Sequence, residues 1–199
     1  MFDFFFPKIL ETRTSKFNGE IKVIKQFGQI NILAGGFEQS GALVRKLWKT
    51  SFVGPPPTKL NILILGLGCG VAVCALRKKY PVAKIIGIEI DPIMIELGKK
   101  YFDLSGLKII CQDALKFKTK QKFNLVLWDL YFGGRANINS INKLVNLLTI
   151  DGEIIFNQLC FGKDQIDLES VIVKTNEYVI NRAIRTEYNK LIFCSRKKA

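Results

Sequence analysis

The feature that most constrains this chain is an uncharged apolar segment that ends in three glycines at alternate positions. The segment, residues 62–70, has the sequence ILILGLGCG. Its apolar half has the composition of a buried parallel strand, and the glycines let the backbone turn sharply and approach a ligand without an intervening Cβ. Alone, the pattern is also typical of a tight strand-to-helix turn with no ligand.

A carboxylate at the end of the next predicted strand favours a ligand-binding turn over a purely structural one. Glu89 lies 19 positions beyond Gly70, close to the roughly 20-residue spacing at which an acidic side chain meets ribose hydroxyls in doubly wound folds. Position 71 is Val, so the G-x-G-x-x-G dinucleotide fingerprint is not met. No Lys-Ser or Lys-Thr follows to form a phosphate loop. The ordered set of strand, glycine turn, helix, strand and Glu predicts a nucleoside-type cofactor.

The absence of histidine narrows the chemistry further. His is the commonest metal ligand and general base. Since the chain has none, we expect no metal site and no Ser–His or Cys–His nucleophile. The cysteines are odd in number, lack C-x-x-C spacing and lie mostly in apolar runs, which predicts buried free thiols in a reducing compartment. They are Cys69, Cys74, Cys111, Cys160 and Cys194.

Two apolar stretches lack the defining properties of membrane or targeting segments. Residues 60–76 carry no charge, but 17 residues interrupted by three glycines are too short for a spanning helix. Residues 1–7 are apolar without the basic region or the long hydrophobic core of a signal peptide. We therefore expect a cytoplasmic protein with no membrane contact.

A net charge of +13 raises a nucleic-acid partner as an alternative. Lysines at every second position from 116 to 122 could follow a phosphate backbone. Only seven of the 30 basic residues are Arg, however, and Arg is the side chain that binds phosphates and base edges through paired hydrogen bonds. A solvated lysine face accounts for the charge as well, so nucleic-acid binding is the less favoured interpretation.

Turn and cap signals divide the chain near residue 57. Alternating residues 8–34, with turns at Asn18-Gly19 and near Gly28, predict a small antiparallel β extension. Ser40 is expected to cap a helix over residues 41–52, which a Gly-Pro-Pro-Pro linker ends. Residues 1–57 therefore form an N-terminal β extension and helix, and residues 58–199 form a Rossmann-like domain.

The second region alternates strands and helices, as a sheet with helices on both faces requires. This predicts an α/β fold with a doubly wound, mostly parallel seven-stranded sheet. The last two strands are too close for a helix between them and are expected to be antiparallel. We predict strands near 60–65, 84–89, 107–111, 123–128, 152–157, 178–184 and 190–195, and helices near 70–79, 92–102, 138–148 and 163–174.

Acidic residues follow three of these strands, at the edge where open α/β sheets bind ligands. They are Glu89, Asp113 and Asp129. Asp113 fits a helix cap as well as a ligand contact. Asp129 closes an apolar strand, so partial desolvation can make it a base or a cation holder.

These residues resemble the class I S-adenosylmethionine-dependent transferase fold, and within it the spermidine synthase-like branch. The resemblance rests on the glycine turn, on Glu89, Asp113-Ala114 and Asp129, and on residues 35–40, GGFEQS. It implies S-adenosylmethionine, or its decarboxylated form, as cofactor. It implies a cofactor site in which Gly66, Gly68 and Gly70 hold the amino acid part, Glu89 binds the ribose, Asp113 the adenine amine and Gln39 the nucleoside, with Cys69 and Ala114 beside them. It also implies Asp129 as the catalytic carboxylate. Tyr131, two residues further on, could pack over the acceptor.

Three departures from that branch favour methyl transfer over aminopropyl transfer. Cys69 stands where the branch has an Asp that holds the aminopropyl ammonium, and a thiol cannot replace that contact. The acidic signature after the fourth strand is reduced to Asp129. The positive surface would repel a polyamine at long range. We expect the turn's N–H groups and the start of the next helix to bind the carboxylate of S-adenosylmethionine instead.

Several alternatives stay open from sequence. The favoured function is methyl transfer, followed by aminopropyl transfer to a polyamine and by a non-catalytic module that binds a nucleoside or a partner. The resemblance implies a small-molecule or polyamine acceptor, and it leaves a homodimer open.

Overall fold

The structure is a computed structural model that describes residues 6–52, 60–130, 138–160 and 167–197. Within these ranges the first region contains strands β1 (Lys8–Ser15), β2 (Gly19–Gln26), β3 (Gln29–Ala34) and β4 (Phe37–Ser40) and helix α1 (Ala42–Ser51). The second contains β5 (Asn61–Leu65), α2 (Val71–Lys79), β6 (Lys84–Glu89), α3 (Pro92–Tyr101), β7 (Lys108–Cys111), β8 (Phe123–Trp128), α4 (Ile138–Leu144), β9 (Leu148–Leu159), α5 (Leu168–Thr175), β10 (Tyr178–Arg185) and β11 (Asn189–Arg196).

The larger sheet confirms the predicted doubly wound architecture. In the described residues it has seven strands in the order β10-β11-β9-β8-β5-β6-β7. The strands from β9 to β7 are parallel, while β11 is antiparallel to both β9 and β10. Chain order reverses at β5, which lies between β6 and β8. The carboxyl ends of these three strands therefore meet at the switch point where such sheets bind ligands.

Helices cover both faces of this sheet, because its central strands are apolar on both sides. On one face, Leu47 and Trp48 of α1 and Leu76 of α2 pack on Ile64 and Leu127. The opposite face carries α4 and α5. There Ile141, Leu144, Leu168 and Ile172 pack with Val126, Trp128 and Phe156.

The N-terminal strands form a separate antiparallel sheet in the order β1-β2-β3-β4. The turns at Asn18-Gly19 and Gly28 join its strands as the alternation predicted, while β4 is an additional strand. The inner face of the sheet packs against the glycine turn and α3 through alternate apolar side chains. The residues in this cluster are Ile21, Val23, Ile32, Ala34, Cys69, Val71, Met94, Leu97 and Phe102.

A buried carboxylate ties the first hairpin to the larger domain. Asp91 caps α3, as predicted from Asp91-Pro92, by accepting a hydrogen bond from the backbone N–H of Ile93. Its other oxygen accepts from Ser15 Oγ at 2.5 Å and from Asn18 Nδ2 at 2.6 Å. Since Asp91 is fully buried, these bonds replace the water that its charge loses on folding.

The predicted cap of α1 is wrong. The helix begins after Gly41, which makes no side-chain capping bond, and the Oγ of Ser40 instead accepts a hydrogen bond from the N–H of Cys69 at 3.4 Å. Distant side chains cap the helix: Asn31 Oδ1 accepts from Ala42 N, and Glu38 Oε1 accepts from the next two amides. Capping here depends on strand packing, which a local sequence signal does not report.

The other differences concern element ends and thiol burial. The helix predicted over 138–148 is α-helical only as far as Leu144. A 3-10 turn follows it to Leu147, and β9 begins at Leu148, earlier than expected. Residues 163–166 of the last predicted helix and the boundary at residue 57 lie outside the described residues. Cys69 and Cys194 are buried free thiols, but Cys74 and Cys160 are partly exposed and Cys111 is exposed, since it lies on the edge strand β7.

Candidate cofactor and acceptor site

The glycine turn between β5 and α2 needs glycine for its backbone conformation. The φ angles of Gly66, Gly68 and Gly70 are +84°, +54° and +82°, in the left-handed region that L side chains rarely adopt. At Gly66 the space is also closed, because an added Cβ would lie 2.1 Å from the carbonyl oxygen of Asp129. The turn therefore lies directly against the end of β8.

Every backbone N–H from Gly66 to Gly70 already has an acceptor in the protein. Ile88 O accepts from Gly66 and Leu67, Glu89 from Gly68, Ser40 Oγ from Cys69, and Leu67 O from Gly70. The turn's N–H groups are thus paired within the protein, and the expectation that they bind a ligand carboxylate stays a prediction. The start of α2, in contrast, has no side chain that caps it: its N-cap is Gly70, and its first turn contains no acidic residue.

Glu89 organises the turn from the end of β6. It is 8% exposed, and its Oε2 accepts from Gly68 N at 2.7 Å while its Oε1 accepts from Asp91 N at 2.9 Å. Burial raises the pKa of Glu89, and these amide bonds act in the opposite direction. Each oxygen keeps a further lone pair, so the carboxylate can accept hydroxyl donors while it holds the turn.

Asp129 directly follows β8, the strand on the other side of β5 from β6, and is partly buried. Its Oδ1 accepts a hydrogen bond from Asn157 Nδ2 at 2.7 Å. The pKa of Asp129 rises to about 6, chiefly because of burial; the Asn157 bond lowers it and the charge of Glu89 raises it. A carboxylate with a pKa near neutrality and an adjacent carboxylate is suited to proton transfer.

Trp48 is a neighbour of Asp129 that the sequence did not indicate. It is fully buried on α1, and its indole N–H lies close enough to Asp129 to lower the pKa of the carboxyl. Among the described residues, Nε1 makes no hydrogen bond that meets both distance and angle criteria. The α1 helix thus places a buried donor beside Asp129.

The thiol of Cys69 does not line the ligand side of the turn. The side chain is fully buried between the N-terminal sheet and α3, and its Sγ lies 3.8 Å from Met94 Sδ. Burial raises the pKa of this thiol. The side chain of Cys69 therefore belongs to the core, and a cofactor contact at this residue stays a prediction.

The remaining predicted site residues are Asp113, Ala114, Gln39 and Tyr131. Asp113 Oδ1 accepts from Leu115 N at 2.9 Å and caps a 3-10 turn that begins at Ala114, as the capping interpretation predicted. Gln39 is partly buried on β4, beside the Ser40 that contacts the turn. Tyr131 lies outside the described residues.

The comparisons with known proteins decide the family. Residues 58–193 match the family described as a methyltransferase domain. The chain belongs to this family. The match runs from just before β5 into β11, where it ends at Phe193, and it leaves out the N-terminal sheet.

The curated relatives include both a methyltransferase and an aminopropyltransferase. The chain is 33% identical over 101 residues to the malonyl-[acyl-carrier protein] O-methyltransferase of Acetivibrio thermocellus, a match over 50% of this chain and 36% of that protein. It is 34% identical over 126 residues to polyamine aminopropyltransferase 2 of Aquifex aeolicus, over 54% of this chain and 25% of that protein. The chain therefore spans only a quarter to about a third of the length of these two relatives.

A solved structure matches both sheets. The spermidine synthase of Thermotoga maritima has a TM-score of 0.73 and covers 96% of this chain, with 73% of its own chain matched, at 14% identity. At this identity the likeness concerns the fold alone. In the described parts of the chain, no helix is long and apolar enough to cross a membrane, and no cluster of three or more His, Cys, Asp or Glu could hold a metal ion.

Proposed function

We propose that this chain transfers a methyl group from S-adenosylmethionine to a small-molecule acceptor, with Glu89 on the cofactor side and Asp129 on the acceptor side. One observation carries the proposal. Glu89 and Asp129 lie at the carboxyl ends of β6 and β8, the two strands that flank β5, Asp129 lies against the glycine turn at Gly66, and the charge of Glu89 raises the pKa of Asp129. A cofactor held by Glu89 would therefore lie next to a partly buried base.

The residues present fit S-adenosylmethionine in two respects. Glu89 keeps lone pairs that can accept the ribose hydroxyls. The uncapped start of α2 can receive a carboxylate, because the first N–H groups of a helix and its dipole favour an anion. When bound, S-adenosylmethionine supplies an electrophilic methyl group, so the protein mainly has to orient the acceptor and exclude water.

Asp129 would act on the acceptor. Its pKa of about 6 leaves it largely ionised at neutral pH, and an ionised carboxylate can accept a proton from an amine or a hydroxyl. Trp48, which is fully buried beside this carboxylate, would keep water from one side of it. Gln39 on β4 and Asp113 after β7 would contact the nucleoside.

Aminopropyl transfer is the second candidate, supported by the fold likeness that includes the N-terminal sheet. Two observations favour methyl transfer over it. The decarboxylated donor carries a lone ammonium that needs a buried carboxylate partner, and Cys69 at the matching position is a neutral thiol enclosed in the core. The net charge of +13 also opposes the approach of a polycationic acceptor.

Donor preference tests the choice between these functions. We expect S-adenosylmethionine to bind at least about tenfold more tightly than its decarboxylated form, since a charge-assisted contact at the start of α2 is worth about 1.4 kcal/mol or more. Isothermal titration of both donors measures the ratio. A preference for the decarboxylated donor would reassign the chain to aminopropyl transfer, and no affinity for either would indicate a non-catalytic module.

The assignment of Glu89 has its own test. We expect Glu89→Gln to weaken S-adenosylmethionine binding by about 1.5–3 kcal/mol, because the variant loses a charged acceptor and turns an amide N–H₂ toward the backbone donors of Gly68 and Asp91. Titration calorimetry on the folded variant measures this. Glu96→Gln, at an exposed carboxylate of α3, is the matched control and should bind normally. Normal binding by Glu89→Gln would remove Glu89 from the cofactor site.

A further inference from the structure

We infer that Asn157 and Asn189 form a relay of two side-chain amides that positions Asp129 and leaves its Oδ2 as the oxygen that takes the acceptor's proton. The inference rests on the proposed role of Asp129 and adds two positioning residues to it. Neither amide belongs to the glycine turn or to the cofactor side of the switch point.

The relay crosses three strands of the sheet. Asn189 Nδ2, on β11, donates to Asn157 Oδ1 at 2.9 Å, and Asn157 Nδ2, on β9, donates to Asp129 Oδ1 at 2.7 Å. All three side chains are partly buried. Strand pairing brings them together, because Trp128 is registered with Phe156, one residue before Asp129 and Asn157, respectively.

The direction of the relay follows from what each group can donate. An ionised carboxylate only accepts hydrogen bonds, so the amide next to it must present its N–H₂ group. Asn189 fixes this orientation, since its own N–H₂ group occupies the carbonyl oxygen of Asn157. Without Asn189, the Asn157 amide could rotate and turn its carbonyl toward Asp129, which suits only the protonated acid.

The consequence for Asp129 is a division between its two oxygens. Oδ1 is held by an amide donor, so a proton added to the carboxyl resides on Oδ2. Burial and the charge of Glu89 on β6 both disfavour ionisation, whereas the relay favours it and Trp48 on α1 acts in the same direction. The relay thus keeps a desolvated carboxylate ready to accept a proton at neutral pH.

Direct titration of Asp129 tests the relay without knowledge of the acceptor. The side-chain carboxyl of ¹³C-labelled aspartate is followed by NMR against pH in the wild type and in Asn157→Leu, Asn189→Leu and Asn181→Leu. The last variant is the matched control, because Asn181 is an exposed amide of β10 that bonds Ser195 outside the relay.

We expect a midpoint of about 6 for Asp129 in the wild type. It should rise by about one pH unit in Asn157→Leu, since a hydrogen bond to the charged form is lost, and by a smaller amount in Asn189→Leu. Asn181→Leu should leave it unchanged. A rise in Asn157→Leu alone would reflect desolvation by leucine and would overturn the relay, as would no rise in either variant.

Two features of the design keep the outcomes separate. If Asn157→Leu does not fold, Asn189→Leu decides the question, because Asn189 does not touch Asp129 and acts only through Asn157. Calorimetric titration of the same samples with S-adenosylmethionine tests the proposed function independently. Absent donor binding with a normal relay titration would contradict the function, whereas normal binding with unchanged midpoints would contradict the relay.

Discussion

Gly66→Ala is expected to lower the free energy of unfolding by about 2–5 kcal/mol. The left-handed backbone at φ +84° costs an L residue about 1–2 kcal/mol. The added Cβ would lie 2.1 Å from the carbonyl oxygen of Asp129, and relief of that overlap requires a backbone shift that costs a further 1–3 kcal/mol or so. Urea denaturation followed by circular dichroism measures the loss.

Gly106→Ala separates the two causes. Gly106 has a similar φ of +67°, but no atom lies within 4 Å of the position that a Cβ would take. This variant should lose only the conformational part, about 1–2 kcal/mol. Equal losses in the two variants would mean that the contact between the glycine turn and the end of β8 contributes little, and would weaken the argument that Gly66 brings the two halves of the site together.

The second large effect is expected on turnover. Asp129→Asn removes the base without changing its size, so methyl transfer to any acceptor that must lose a proton should fall by roughly 10²–10⁴-fold. S-adenosylmethionine affinity should change only a few-fold, because Asp129 is assigned to the acceptor side. Steady-state kinetics at saturating donor, together with calorimetric titration, measures both quantities.

The pH dependence of the wild type follows from the same assignment. A base acts in its ionised form, so turnover should be lost as the pH falls through the Asp129 pKa of about 6 and should be maintained above it.

The matched control for Asp129→Asn is Asp103→Asn, the same chemical change at an exposed carboxylate with a side chain that is 76% accessible. If Asp129→Asn abolished donor binding but kept turnover at saturation, Asp129 would belong to the cofactor side instead.

Local sequence signals determined the elements of the fold and the acidic ends of its strands. Apolar runs located β5, β6 and β8, and Asp91-Pro92 located the start of α3 because its cap forms within two residues of the chain. The short link before β11 also implied an antiparallel pair. Glu89 and Asp129 could be singled out because Glu89 ends one apolar strand and Asp129 directly follows another.

Tertiary structure decided which groups these residues contact. The occupied amides of the glycine turn, the burial of the Cys69 thiol under the N-terminal sheet, and Trp48 beside Asp129 all depend on how the sheet and α1 pack. Asn157 and Asn189 reach Asp129 only through the order and register of β8, β9 and β11. Periodicity reports which residues share one strand or helix, but hydrogen bonds between elements depend on long-range packing that no local pattern records.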